Sequence, residues 1–355
     1  MKIVLTGGGT AGHVTPNIAL LPALERRGFE VHYIGSHTGI ERELITHYGV
    51  PYYGIASGKL RRYFDLKNMT DIFRITKGLG DALALLRRIK PDIVFSKGGF
   101  VVVPVAAAAR LLGIPVVIHE SDITPGLANR LIMPFAKSVC VSFPETLGHI
   151  PHNKGVLTGS PIRAALWEGQ AQMGQKICGF ENQLPIILVM GGSQGAVAIN
   201  KHVLGILPRL LKRFNVIHLC GKGNIEMPPR TGYTPFEYAQ EALPHLLAAA
   251  DMVVSRAGAN TIFELLALGK PNLLIPLSKS ASRGDQILNA ASFEKQGFSK
   301  VLPEEEMTED TLYNVLLTLY ADREKYAKHM AAQQPGEGVK RVMTEIERWT
   351  KEAVT

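Results

Sequence analysis

Cysteine is scarce in this 355-residue sequence: Cys140, Cys178 and Cys220 are widely spaced and form no C-x-x-C pair. An odd, scattered set excludes a disulfide framework and a cysteine-rich zinc site. It suits a reducing compartment in which all three act as small apolar residues. No H-E-x-x-H or comparable ligand spacing occurs, so no metal and no resident cofactor are expected. Long apolar runs are also missing. The longest, near Val101–Ala109, contains Pro104 and ends at Arg110, far short of the ~20 residues that span a bilayer. The opening MKIVLTGGGTAGH is too briefly apolar for the ~7–15-residue core of a secretion signal, so a first strand is expected there. Acidic residues are outnumbered, 31 against 39 Lys and Arg, for a formal net charge of +8. That surplus calls for a polyanionic partner: phosphate esters, nucleic acid or an anionic membrane surface. Nucleic acid is disfavoured, because the basic residues are not interleaved with stacking aromatics and no RNP, KH or helix-turn-helix signature appears.

Apolar content, at 46%, is ample and excludes disorder. At roughly 100–200 residues per domain the length predicts two domains. Short β-branched runs alternate with helical patterns: strands at Lys2–Thr6, Glu30–Gly35, Asp92–Ser96, Val116–His119, Lys137–Val141 and Val156–Thr158, and a helix from about Pro16 to Arg27 closed by Gly28. The rhythm restarts at Pro185–Met190 and continues through Val216–Cys220, Met252–Ser255 and Asn272–Pro276, after the polar stretch Glu168–Gln183. Continuous apolar strands separated by helices predict an α/β fold of two Rossmann-like, doubly wound parallel-sheet domains facing across a cleft. The expected domains are 1–162 and 163–336. A final helix of about 337–355, with Val342, Ile346 and Trp349 at helical spacing, is expected to pack back on the first.

Each half opens with strand, glycine loop and helix. Gly7-Gly8-Gly9-Thr10-Ala11-Gly12-His13 and Gly191-Gly192-Ser193-Gln194-Gly195-Ala196 let backbone approach a phosphate or sugar at a helix N-terminus. Tight strand–helix turns need glycine for purely structural reasons too. Neither loop is a Walker A motif, and no acid closes the second strand as a nicotinamide dinucleotide site would require. Ser255-Arg256-Ala257-Gly258-Ala259-Asn260-Thr261 opens a third helix, and Glu264 lies one turn inside it. Glu264 suits either a ribose diol or simple complementation of the helix dipole. Arg163, in Gly159-Ser160-Pro161-Ile162-Arg163, suits a phosphate, a uracil carbonyl or plain solvent exposure. His13 ends its loop at a helix start, where a neutral imidazole can serve as general base. His119-Glu120-Ser121-Asp122 ends another strand with a run of polar groups.

GGGTAGH, GGF at Gly98–Phe100, HESDITPGLANR at His119–Arg130, GSPIR, GGSQGA and SRAGANTIFE, in that order from residue 1 to about 290, resemble the MurG family of peptidoglycan glycosyltransferases. The resemblance implies a GT-B fold and a metal-independent, inverting transfer of N-acetylglucosamine. The donor would be UDP-N-acetylglucosamine and the acceptor undecaprenyl-diphosphate-muramoyl-pentapeptide (lipid I), giving lipid II at the cytoplasmic face of the bacterial membrane. It implies His13 as base, and Thr10, Ala11 and Gly12 along the donor sugar and diphosphate. Arg163 and Ser193 would lie at the diphosphate. Ala259, Asn260, Thr261, Ile262, Phe263 and Glu264 would hold the phosphates and ribose, with Glu264 on the diol, while Gln286 would bind sugar hydroxyls. The uracil would lie near Tyr238–Gln240, where the match is poor and no residue is assigned. Three positions depart from the family: its H-E-Q-N is here His119-Glu120-Ser121-Asp122, placing a carboxylate at Asp122 where the sugar meets an amide. Its paired glutamines are Asp285-Gln286, and the second glycine of its G-G-T-G-G-H is Ala11. A UDP-N-acetylglucosamine 2-epimerase on the same architecture is the alternative.

A lipid acceptor requires a membrane-facing surface. Met69–Ile89 sets Ile72, Phe73, Thr76, Leu79, Leu83 and Leu86 near one helical face, flanked by Lys67, Arg74, Lys77, Arg87, Arg88 and Lys90. This reads either as a helix packed on the sheet or as a surface for anionic lipid, with Lys59–Tyr63 in support.

Overall fold

Ile3, Val4 and Leu5 are fully buried, as are Ile187 and Leu188. Strands covered on both faces carry no alternation, and such strands belong to parallel sheets layered between helices. The computed structural model describes residues 1–58, 67–151, 153–191, 196–279, 283–333 and 336–352, with the side chains of 67–73 and 351–352 outside that description. The chain divides into two units, Met1–Arg163 with Gly336–Thr355, and Ala164–Pro335.

The first unit runs β1 (Lys2–Thr6), α1 (Thr15–Arg26), β2 (Glu30–Ser36), α2 (Ile40–Thr46), β3 (Tyr52–Ile55), α3 (Lys67–Ile89), β4 (Ile93–Ser96), α4 (Val102–Leu111), β5 (Val116–Glu120), α5 (Leu127–Ile132), β6 (Ser138–Val141) and β7 (Gly155–Leu157). The second runs α6 (Ala171–Cys178), β8 (Ile186–Met190), α7 (Val197–Leu210), β9 (Asn215–Leu219), β10 (Tyr233–Phe236), α8 (Leu243–Ala249), β11 (Met252–Ser255), α9 (Ala259–Ala267), β12 (Asn272–Leu274), α10 (Asp285–Lys295), β13 (Lys300–Val301), α11 (Glu309–Ala321) and α12 (Arg323–Ala331). The chain then returns to the first unit as α13 (Gly338–Glu352), whose Val342, Met343 and Ile346 join the layer of α1 beneath β1 and β4.

Among the described residues, seven parallel strands order as β3-β2-β1-β4-β5-β6-β7 and six as β10-β9-β8-β11-β12-β13. In each sheet the direction of winding reverses beside the opening strand, between β1 and β4 and between β8 and β11. Ligands of open α/β sheets bind outside the carboxyl ends of the strands at this reversal. In the first sheet the glycine loop that follows β1 occupies that place.

The strands that the apolar pattern missed, β3, β10 and β13, are all edge strands. Their sequences YYGI, YTPF and KV include a proline and a lysine. An edge strand has one side without a ladder partner and tolerates both. Two further stretches take definite form. The polar stretch Glu168–Gln183 contains α6, which buries little beyond Gly174 and Cys178 against α8. Gly174 lies on the His245 backbone, where a side chain has no room. The apolar stripe of α3 faces inward: Leu86 is 1% exposed, and Leu79 and Leu83 pack on the core layer with α4. The basic residues Arg74, Lys77, Arg87, Arg88 and Lys90 are exposed. Lys59–Tyr63 and the side chains of Ile72 and Phe73 lie outside the described residues.

Candidate active site

In the first unit the loop after β1 is held from below. Tyr33 donates from its hydroxyl to the Gly7 carbonyl at 2.8 Å, and Asn17 Nδ2 donates to Tyr33 at 3.2 Å. Burial pushes the Tyr33 phenol well up, so it stays a donor. Glu41, fully buried on α2, accepts from the Gly9 N–H at 3.1 Å and from the Ser36 N–H at 3.0 Å and hydroxyl at 2.5 Å. Sequence reading assigned Glu41 nothing, because nothing in the helical pattern tells an inward carboxylate from a solvated one.

Thr10 and Gly12 are exposed, Ala11 is half-buried, and Ala11–His13 make a 3-10 turn ahead of α1. The His13 Nδ1 lies 2.9 Å from the Gly8 carbonyl and 3.2 Å from the Thr10 hydroxyl. A carbonyl only accepts, so Nδ1 carries the proton and Nε2 is the basic nitrogen of the neutral ring. The ring edge bearing Nε2 lies over Gly98, whose φ of +107° is open to glycine and whose hypothetical Cβ would stand 3.2 Å from the imidazole. The Gly8 N–H donates to the Gly98 carbonyl at 3.2 Å. The loops after β1 and β4 thus close on one another around His13.

The polar run ending β5 divides by role. The fully buried His119 donates from Nε2 to the Gly159 carbonyl at 3.0 Å, tying β5 to the GSPIR turn. Burial and the Lys97 charge hold it neutral. Glu120 accepts from the Asp122 N–H at 3.0 Å, the Gly126 N–H at 2.9 Å and Asn129 Nδ2 at 2.9 Å. These two buried residues shape the loop and are engaged within it. Asp122 is half-buried at the same strand end, with its carbonyl accepting from the Thr146 hydroxyl at 3.2 Å. Lys97, overlooked in the sequence, is 2% exposed and donates to the Ser121 hydroxyl. Burial lowers its ammonium to about 8 against the opposing pull of Glu120 and Asp122. Arg163, half-buried, is the last residue of this unit's first segment.

In the second unit, α9 begins at Gly258 with no side-chain cap, so the N–H groups of Ala259, Asn260 and Thr261 point out of an uncapped first turn beyond β11. Glu264 is 8% exposed one turn on. Ile262 is fully buried, and Phe263 meets Phe293 edge-on with centroids 5.3 Å apart. The Ile262 side chain is core, and only its backbone is left for a ligand, whereas Phe263 is half-buried. Arg256 turns away from the helix start: it donates to the Ile275 carbonyl at 3.1 Å and pairs with Glu304. Gln286 is half-buried at the start of α10, and its Oε1 accepts from the Leu277 N–H at 3.1 Å. That bond fixes the amide so that Oε1 is engaged and Nε2 is the donor end. Asn289 Nδ2 donates to the Ala257 carbonyl at 3.3 Å and joins α10 to the loop before α9. Ser193 lies outside the described residues. No cluster of three or more His, Cys, Asp or Glu able to hold a metal occurs among the described residues.

Comparison with known proteins gives a consistent picture. Residues 3–141 match the glycosyltransferase family 28 N-terminal domain and residues 186–346 its C-terminal domain. The UDP-N-acetylglucosamine–N-acetylmuramyl-(pentapeptide) pyrophosphoryl-undecaprenol N-acetylglucosamine transferase of Clostridium tetani is 56% identical, with 98% of each chain covered. The enzyme of the same name from Clostridium perfringens is 54% identical over 98% of each. The crystal structure of Acinetobacter baumannii MurG superposes with a TM-score of 0.74 at 26% identity, covering 98% of this chain and 99% of that one. A UDP-N-acetylglucosamine 2-epimerase from Neisseria meningitidis shares the fold, with a TM-score of 0.69 at 16% identity, covering 98% of this chain and all of the other.

Proposed function

The chain belongs to glycosyltransferase family 28; on that premise we propose how its residues carry out the transfer of N-acetylglucosamine from UDP-N-acetylglucosamine to lipid I, the reaction of peptidoglycan synthesis that yields lipid II. Relatives at 56% identity over nearly the full chain support that activity. In our reading the first unit receives the lipid acceptor and the second binds the donor.

The observation that carries the division of labour is the hydrogen bond from His13 Nδ1 to the Gly8 carbonyl. It leaves Nε2 as the basic nitrogen of the neutral ring, and His119 at the neighbouring strand end is sealed and neutral. His13 takes the proton of the acceptor hydroxyl as its oxygen attacks the anomeric carbon, and UDP departs from the opposite face. A single displacement of this kind inverts the anomeric centre. Thr10, Ala11 and Gly12 lie along the sugar and diphosphate. The charge building on UDP is met by Arg163, Ser193 and the N-terminus of α9. Glu264 accepts from the ribose diol. Asp122 accepts from, and Gln286 Nε2 donates to, the sugar hydroxyls.

Lipid I also requires the protein to work at a membrane surface. Among the described residues no helix is long and apolar enough to cross a bilayer. The exposed basic residues of α3 support peripheral attachment to anionic lipid at the cytoplasmic face.

The test is turnover of His13→Ala with UDP-N-acetylglucosamine and a soluble lipid I analogue. Removal of a general base is expected to lower kcat by about 10²–10⁴-fold while donor affinity stays within a factor of three. Near-parental kcat would remove His13 from this role. Appearance of UDP together with the disaccharide separates transfer from epimerisation, which leaves the donor's sugar unattached to acceptor.

A further inference from the structure

A cavity of about 440 Å³ opens in the first unit at the amino ends of β5, β6 and β7, the opposite end of the sheet from the glycine loop and His13. β5 spans five residues, so at ~3.3 Å per residue roughly 15 Å of strand separates the two ends. Four cations line the cavity: Arg110 from the end of α4, Lys137 and Lys154 from the turns that lead into β6 and β7, and Arg348 from α13. Among the described residues no lining residue is acidic; Glu345, 4.0 Å from Arg348, stands outside the lining. Lys154 spends two of its ammonium donors on the Met133 and Pro134 carbonyls, at 3.3 and 3.1 Å, which fixes its place. Lys137 and Arg348 lie against the Trp349 ring, 5.3 and 5.0 Å from its centre. Two further polar atoms of lining residues are enclosed with no hydrogen-bond partner among the described residues. They are the hydroxyl of Ser138, which is 2% exposed, and the indole N–H of Trp349. An enclosed donor without an acceptor is costly, and a bound acceptor relieves the cost.

We propose that this cavity binds the phosphate group of a phosphate ester, at a site separate from that of the donor diphosphate. Four positive side chains gathered without a lining acid repel one another, and an anion among them removes that repulsion. A phosphate presents its oxygens as a tetrahedron, so donors arriving from α4, β6, β7 and α13 can each meet one. A planar carboxylate cannot satisfy so many directions. The Ser138 hydroxyl and the Trp349 N–H supply neutral donors, and the guanidinium and ammonium groups supply charge-assisted ones. Ile114 and Phe135 add an apolar wall. The volume also exceeds what the anion alone would fill, a water's share of liquid being about 30 Å³. The ligand is therefore an ester with a carbon body. A soluble phosphate ester and the headgroup of an anionic phospholipid both carry this chemistry.

The sequence has two tryptophans, so a Trp167→Phe protein reports on Trp349 alone by fluorescence. Glycerol 3-phosphate, phosphatidylglycerol vesicles and phosphatidylcholine vesicles are titrated in turn, with saturating UDP present so that the donor site is filled. A saturable change in Trp349 emission is expected. If glycerol 3-phosphate produces it with half-saturation below ~1 mM, the ligand is a soluble ester. If only phosphatidylglycerol produces it, the ligand is a lipid headgroup. Ser138→Ala, and separately Lys137→Gln combined with Arg348→Gln, should each weaken the response at least ~10-fold. Ser138→Ala leaves every charge in place, so it separates a built site from general attraction to a basic surface. Turnover of a soluble lipid I analogue by these variants should match the parent's, which shows that they fold and that the cavity is not the donor site. No response to either phosphate probe overturns the proposal. So does an equal response to phosphatidylcholine or to potassium chloride at matched ionic strength, or an unchanged response in either variant. Should the charge variant fail to fold, Ser138→Ala decides alone.

Discussion

Glu41 offers two carboxylate oxygens to three donors, and the Gly9 N–H is one of them. An amide of equal size would supply only one acceptor oxygen and would turn its NH₂ toward a donor. Glu41→Gln should therefore cost about 1–3 kcal/mol in denaturant unfolding, the range for a buried polar group left unsatisfied. It should also lower kcat, since the carbonyl that orients His13 belongs to the neighbouring Gly8. An unfolding midpoint equal to that of the parent would show that the loop does not depend on this anchor. The nearby Gly98 is restricted on two counts: its φ is positive, and its missing Cβ makes room for the imidazole edge. Residues of this sort are named by their neighbours and not by their type. Lys97 and Glu41 look in sequence like any surface lysine and glutamate.

At the scale of elements, α3 has the greater consequence. Its apolar stripe is consumed by α4 and the core, which leaves the exposed basic residues as the surface for anionic lipid. Arg88 is partly engaged already, its guanidinium 5.3 Å from the Tyr53 ring centre. A basic residue near an anionic surface contributes about 1 kcal/mol, so replacing Arg74, Lys77, Arg87 and Arg88 with glutamine should weaken sedimentation with phosphatidylglycerol vesicles by at least ~100-fold at low salt. Binding to neutral vesicles, and turnover of a soluble acceptor, should be unchanged. Unaltered sedimentation with the anionic vesicles would move the membrane contact elsewhere. In the second unit, α9 and α10 act as a pair through Asn289, so the helix start and Gln286 keep their spacing.

Across the whole molecule, each unit encloses a neutral histidine. His119 is held well below its ordinary range by burial and by Lys97. His218, bonded to Asn200 at 3.0 Å and near the Tyr233 hydroxyl at 3.2 Å, is lowered to about 4 by burial. The unfolded chain protonates its histidines near 6.5, so between pH 6.5 and 4 it binds more protons than the native state. Native stability is then complete above pH 7 and falls as pH drops through that window. The His218 contribution alone should be about 2 kcal/mol by pH 5, at roughly 1.4 kcal/mol per pH unit. Urea midpoints recorded from pH 7.5 to 5 check the slope, and a flat profile above pH 5 would contradict it.

How much of this was legible follows from range. Doubly buried strands announce themselves because both faces must be apolar, so the two sheets, the restart of the rhythm and the three glycine-bearing helix starts could be read from residues near in sequence. Edge strands β3, β10 and β13 could not, since half their environment is solvent. The sequence by itself determined the fold class, the motifs that mark the family and the scarcity of cysteine, whose three thiols are all buried. Tertiary structure alone decided which polar residues face the reaction. It turned His119, Glu120 and Arg256 inward and gave the Gln286 oxygen to a backbone N–H. It also set Lys97 against Ser121. The reason is physical: burying an apolar run is favourable in almost any partner's company, whereas a buried charge is tolerable only beside particular atoms, and those atoms lie far away along the chain.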